Sequence, residues 1–238
     1  MKILILIFLL LFDCICFGQK GINQNRIESG RANFQIGDFS GALEIFDAVL
    51  ISEPHNQEVL FLRGITYISM GNFKNSFDDF DHIIKINSKS PYAYYGKGIL
   101  KTELGDKVAA ISEYNMAIEL NSEYAAAFLN RGVIKHQMKD YAGALSDYDN
   151  AIKYAPLDAK TYNNRGMLKV ELKNYSGAIA DHTKALEIDP KFADAFYRRG
   201  IIKILFTAST RESGCLDLHK ASDLGYSPAY NAILEFCQ

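Results

Sequence analysis

The chain has 238 residues, and 26 basic against 28 acidic residues leave a formal net charge of −2. That balance excludes a protein built around nucleic-acid phosphates, where counterion release rewards a strongly basic face. A content of 48% hydrophobic and 12% aromatic residues excludes a disordered tail. Such a chain can bury the core of one or two globular domains, and five prolines without tryptophan fit a helical protein.

Met1 and Lys2 make a short positive start, and Ile3 to Phe12 is an unbroken apolar run of ten residues. A membrane span needs about 20 apolar residues. The run leads to Cys16-Phe17-Gly18, with small residues at the two positions a signal peptidase reads, and then Gln19. Residues 1–18 are expected to be a secretory signal peptide cleaved after Gly18. The mature chain would be exported, periplasmic or at the cell surface, of bacterial type, and without a stable membrane span. The residues preceding Cys14 and Cys16 lack the small side chains a lipid-attachment site would want.

From here the chain repeats itself. Gly30, Gly64, Gly98, Gly132, Gly166 and Gly200 are spaced at 34 residues throughout. Twelve positions after the first five stand Ala42, Ser76, Ala110, Ala144 and Ala178, and four further on Phe46, Phe80, Tyr114, Tyr148 and His182. Pro54, Pro156 and Pro190 share one phase. Each unit holds two apolar patterns of helical spacing, such as Leu43, Phe46, Val49 and Leu50. They are separated by the turns Gly37-Asp38, Gly71-Asn72, Gly105-Asp106, Lys139-Asp140 and Lys173-Asn174. A mid-helix glycine costs about 1 kcal/mol relative to alanine, so a recurrent one implies close approach of two helices.

A basic residue precedes the glycine in five repeats: Arg63, Lys97, Arg131, Arg165 and Arg199. Asp79, Glu113, Asp147 and Asp181 follow the first four by 16 residues, and Asp217 follows Arg199 by 18, matching a turn lengthened by two near Ala208 to Thr210. The first repeat has Ser29 and Ile45 there, so base and acid are absent together. Ion pairs pinning the two helices of each hairpin are expected.

The 34-residue period with this order of Gly, Ala, aromatic and Pro resembles the tetratricopeptide repeat (TPR) family, over residues 23 to about 226. The resemblance implies an all-α, right-handed α-solenoid over residues 19–226, whose six hairpins are 23–56, 57–90, 91–124, 125–158, 159–192 and 193–226. Residues 227–238, opening with Ser227-Pro228, would form a C-terminal capping helix. In the family the first helix of each repeat lines a concave groove that takes an extended peptide or partner helix. Carried over by phase, that groove comprises Phe61, Ile65 and Ile68; Tyr95, Ile99 and Thr102; and Leu129, Val133 and His136. Asn163, Met167 and Val170 continue it, followed by Tyr197, Ile201 and Ile204. The family's chaperone-binding branch holds a terminal carboxylate with Lys and Asn at the first two of these positions, which here carry Phe61/Ile65, Tyr95/Ile99 and Leu129/Val133. A largely apolar stripe suits an apolar or amphipathic protein partner, and equally suits packing between repeats.

The mature chain retains Cys215 and Cys237. Either they form a disulfide stapling the capping helix to the last hairpin, or Cys215 fills a core position like Leu43 and Ile111. His55, His82, His136, His182 and His219 show no i, i+4 pairing, and no HExxH, Gly-rich phosphate loop or GxSxG elbow appears. His182, standing at a Phe/Tyr position, reads as a core residue. The expectation is a non-enzymatic interaction scaffold or adaptor without cofactor or metal, whose partner is protein rather than nucleic acid. The alternatives are a self-associating solenoid, which makes a homo-oligomer, and an accessory subunit of an envelope or secretion complex.

Overall fold

A computed structural model describes residues 23–206 and 210–237; the expected signal peptide lies outside the described residues. Among them the chain forms thirteen α-helices and no strand. These are α1 (Gln24–Gln35), α2 (Phe39–Ser52), α3 (Gln57–Ser69), α4 (Phe73–Ile86), α5 (Pro91–Glu103), α6 (Lys107–Leu120) and α7 (Ala125–Gln137). They continue as α8 (Tyr141–Tyr154), α9 (Ala159–Glu171), α10 (Tyr175–Ile188), α11 (Ala193–Phe206), α12 (Arg211–Asp223) and α13 (Ser227–Phe236). The expected all-α architecture of six helix hairpins and a final single helix is the one observed. The helices fall into two compact units, residues up to Asn130 and residues from Arg131 onward, so that the division lies within α7.

The turn inside each hairpin is a two-residue device. In the first, Gly37 N–H donates to the Phe34 carbonyl at 3.1 Å and Asp38 N–H to the Asn33 carbonyl at 2.9 Å. This Schellman closure puts the first of the two turn residues in the left-handed region. Gly37, Gly71 and Gly105 meet it with φ of 84°, 75° and 78°, whereas Lys139 and Lys173 adopt φ of 64° and 60° despite their side chains. The second turn residue caps the following helix: Asp38, Asn72, Asp106, Asp140 and Asn174 accept from the backbone N–H three residues on. Each such cap is worth about 1 kcal/mol.

Between the two helices of a hairpin, the recurrent glycine faces the aromatic 16 residues later. A Cβ at Gly30 would lie 2.5 Å from the Phe46 ring, and one at Gly132 would lie 2.9 Å from Tyr148. Gly166 faces His182 in the same way. Phe80 is enclosed from two hairpins, because Gly96 as well as Gly64 opens space for its ring. In the last hairpin Gly214 replaces the small alanine, and α11 and α12 approach until a Cβ on Gly200 would meet the Gly214 carbonyl at 2.8 Å.

Four of the five expected ion pairs form. Arg63 grips Asp79 through Nε (3.0 Å) and Nη2 (2.6 Å). The same two-point grip joins Arg131 to Asp147, Arg165 to Asp181 and Arg199 to Asp217. The expectation fails for Lys97 and Glu113, which form no ion pair among the described residues; Lys97 Nζ lies 4.9 Å from the Phe77 ring centre instead. Lysines do reach these aspartates elsewhere, as Lys135 does Asp147, Lys169 does Asp181 and Lys203 does Asp217, at 2.7–2.8 Å. Sequence reasoning missed the second partners of these arginines. Arg63 Nη1 also reaches Asp47, and Arg165 Nη1 reaches Asp149, both at 2.6 Å and 16 residues upstream. Each of these arginines thereby ties its own hairpin to the preceding one. Burial pushes the Asp79 carboxyl up, against the pull of the Arg63 guanidinium.

At the C-terminal end the Sγ atoms of Cys215 and Cys237 are bonded, tying α12 to the end of α13. Ile204, Leu218 and Ala232 form a small core there, with Tyr197, Ile201, Ile233 and Phe236 packed against it.

Candidate functional site

The residues selected for the groove lie on the first helices of their hairpins, and the two units treat them differently. In the N-terminal unit Phe61, Ile65 and Ile68 on α3 and Tyr95 on α5 are buried, Phe61 to 1% exposure and Tyr95 to 3%. The Phe61 and Tyr95 rings stack with centres 6.4 Å apart and planes 29° apart. Behind them Phe61 meets Phe80 at 5.9 Å and Tyr95 meets Tyr114 at 5.8 Å. Tyr95 Oη accepts a hydrogen bond from Asn130 Nδ2 at 2.9 Å, and Thr102 Oγ1 lies 3.2 Å from Tyr114 Oη. Ile99 and Leu129 stay half-buried. In this unit the stripe is chiefly packing between successive first helices.

In the C-terminal unit Val133, His136, Met167, Val170, Tyr197 and Ile201 are all half-buried, and Asn163 is buried. Tyr197 and Ile201 spend part of their surface on the small core beneath α13. Val133, Met167 and Val170 are left as the apolar part of the stripe. His136 Nε2 lies 2.9 Å from Glu171 Oε1, and its ring meets Tyr141 and Tyr148 edge-on. A hydrogen bond from Tyr141, and then the one from His136, holds the Glu171 carboxyl below its usual range despite some desolvation.

Asn163 and His182 belong to a buried polar chain that sequence reasoning did not assemble. His182 Nδ1 lies 2.9 Å from Asn163 Oδ1, and Asn163 Nδ2 donates to Asp194 Oδ2 at 2.9 Å. Asp194 also accepts from Arg198 Nε at 2.7 Å and from Tyr226 Oη at 2.8 Å. Burial works to raise the Asp194 carboxyl, but these donors together hold it below the ordinary value. The chain links α9, α10, α11 and the residue that caps α13, so its members position helices rather than face a ligand. The substitution of His for Phe or Tyr at 182 was its only sequence signal.

Among the described residues no three His, Cys, Asp or Glu side chains gather as a metal site, and no helix is long and apolar enough to cross a membrane. The site so far defined is a surface of helix faces in a hairpin-repeat protein.

The comparisons agree with this class. Models of the tetratricopeptide repeat match residues 57–90, 125–156 and 159–192. The chain is a tetratricopeptide repeat protein, the models matching its second, fourth and fifth hairpins. Among solved structures, MamA is 29% identical, with a TM-score of 0.54 over 69% of this chain and 96% of that one. A thermophilic TPR protein of Thermus thermophilus is 20% identical, with a TM-score of 0.67 over 77% of this chain and all of the other. A tetratricopeptide repeat protein from Parabacteroides merdae is 21% identical, with a TM-score of 0.63 over 91% and 84%. No curated protein matches the chain.

Proposed function

We propose that this protein is an exported, non-enzymatic adaptor that takes an apolar or amphipathic segment of a protein partner on the first-helix face of its C-terminal unit. TPR hairpins support protein–protein interaction in general, and a structural relative, YrrB at 19% identity, is described as having an unusual peptide-binding site. The observation that carries the reading is the half-buried set Val133, Met167 and Val170, at the repeat positions which are buried as Ile65 and Ile68 in the second hairpin, though half-buried as Ile99 and Thr102 in the third. Apolar groups left partly in water gain free energy when a partner covers them. The His136–Glu171 pair adds a polar contact that can fix the direction of a bound segment. Export rests on the apolar run and small-residue exit of residues 1–18.

The test is crosslinking capture from the native cell envelope by wild type and by the Val133→Glu, Met167→Glu double variant. A partner held by the wild type and lost by a variant with an unchanged melting temperature is the expected result. Undiminished capture would move the binding surface elsewhere, and capture of the chain alone would mean self-association.

A further inference from the structure

Two histidines far apart in the chain meet at the junction of the first two hairpins. His55 Nδ1 lies 3.3 Å from His82 Nε2, with ring centres 5.4 Å apart and planes 85° apart. His55 is exposed and His82 half-buried, so the pair opens to solvent. We propose that these two imidazoles form a binding site for a divalent metal ion of zinc type, with water filling the remaining positions.

The distance selects the geometry. Two nitrogens bound at about 2.0–2.1 Å to a tetrahedral ion stand about 3.3–3.4 Å apart, whereas adjacent corners of a square-planar site would be about 2.8–3.0 Å apart. The observed 3.3 Å matches the tetrahedral edge, and it is long for a hydrogen bond between ring nitrogens. In the neutral pair one ring carries the proton between the two nitrogens. Metal binding needs both lone pairs, so that ring changes tautomer and no proton need be lost.

The backbone that carries both ligands is braced before any ion arrives. His55 follows Pro54 in the turn between α2 and α3, and Asn56 fixes that turn from both sides. Its Nδ2 donates to Glu53 Oε2 at 2.7 Å, and its Oδ1 accepts from Val59 N–H at 3.1 Å. Asn23 Nδ2 braces the other Glu53 oxygen at 2.7 Å. His82 sits on α4 between Asp79, which Arg63 grips, and the fully buried Ile83. A braced backbone leaves only the two side chains to be ordered on binding. One repeat later the corresponding positions are Lys89 and Met116, and after that Glu123 and Asn150, so only this junction offers two imidazoles. No third His, Cys, Asp or Glu joins the pair among the described residues, which makes the site open on one side.

Zinc chloride titrated calorimetrically into the tag-free chain tests the assignment, with His55→Ala, His82→Ala and, as a control, the exposed His219→Ala. Saturable binding is expected, weakened at least about tenfold by either of the first two changes, since loss of a supporting group alone costs that much at metal sites. The control should bind as the wild type does. In parallel, zinc should shift the imidazole nitrogen resonances of His55 and His82. If an alanine variant melts low, His55→Gln or His82→Gln takes its place. Absence of saturable binding, binding unchanged by both substitutions, or loss confined to His219→Ala overturns the proposal.

Discussion

The N-terminal and C-terminal units are built on one repeat and finish it differently. On α3 and α5 the stripe positions carry Phe61 and Tyr95, which stack on each other and on the second-helix aromatics Phe80 and Tyr114. On α9 the position of Phe61 is Asn163, drawn into hydrogen bonds with His182 and Asp194, and Met167 and Val170 keep part of their surface in water. The turns differ as well, with glycine at Gly37, Gly71 and Gly105 but lysine at Lys139 and Lys173. The difference teaches that a TPR position can be core or surface according to the size of its side chain and what the adjoining helices place against it. The family's groove is therefore not inherited position by position.

The largest expected effect tests the packing half of this contrast. Phe61→Ala should cost about 3–5 kcal/mol in chemical denaturation, the usual range for emptying a buried aromatic site. Met167→Ala at a half-buried site should cost about 1 kcal/mol. Equal losses would erase the distinction between the two units.

Next comes pH. Burial, followed by the nearby Arg198 charge, pushes the His182 imidazole down to about 4 from an ordinary 6.5. The unfolded chain then binds the proton first, so the contribution is complete above pH 6.5 and is lost as the pH falls toward 4. It amounts to roughly 3 kcal/mol. His182→Phe, matching Phe46 and Phe80, should flatten the stability profile across that window; an unaltered slope would assign it to other groups.

The smallest effect concerns the turns. Lys173→Gly relieves a side chain held at a φ of 60° and should raise stability by about 0.5–1 kcal/mol, read as a higher denaturation midpoint. No gain would mean that the lysine stem recovers its strain through contacts in its turn.

Much of the fold was legible because it is local. A left-handed turn residue followed by an Asp or Asn cap needs only adjacent residues, and the spacing of Gly132 to Tyr148 needs only one hairpin. The arginine–aspartate pairs were readable for the same reason, whereas Lys97 turns to Phe77 instead of Glu113. The groove was legible only as a set of positions. Nothing in the stripe's spacing distinguishes Phe61 at 1% exposure from half-buried Val133.

By itself the sequence determined the 34-residue phase, the helix hairpins, the turn chemistry and the family, since each depends on contacts within one repeat. Tertiary structure alone decided the second partners Asp47 and Asp149, the chain from His182 to Asp194, the meeting of His55 with His82, and which stripe residues stay in water. The physical reason is common to all four. Burial, charge pairing and ligand geometry depend on what a neighbouring hairpin sets opposite a side chain, and a period read along one strand of sequence carries no record of that distance.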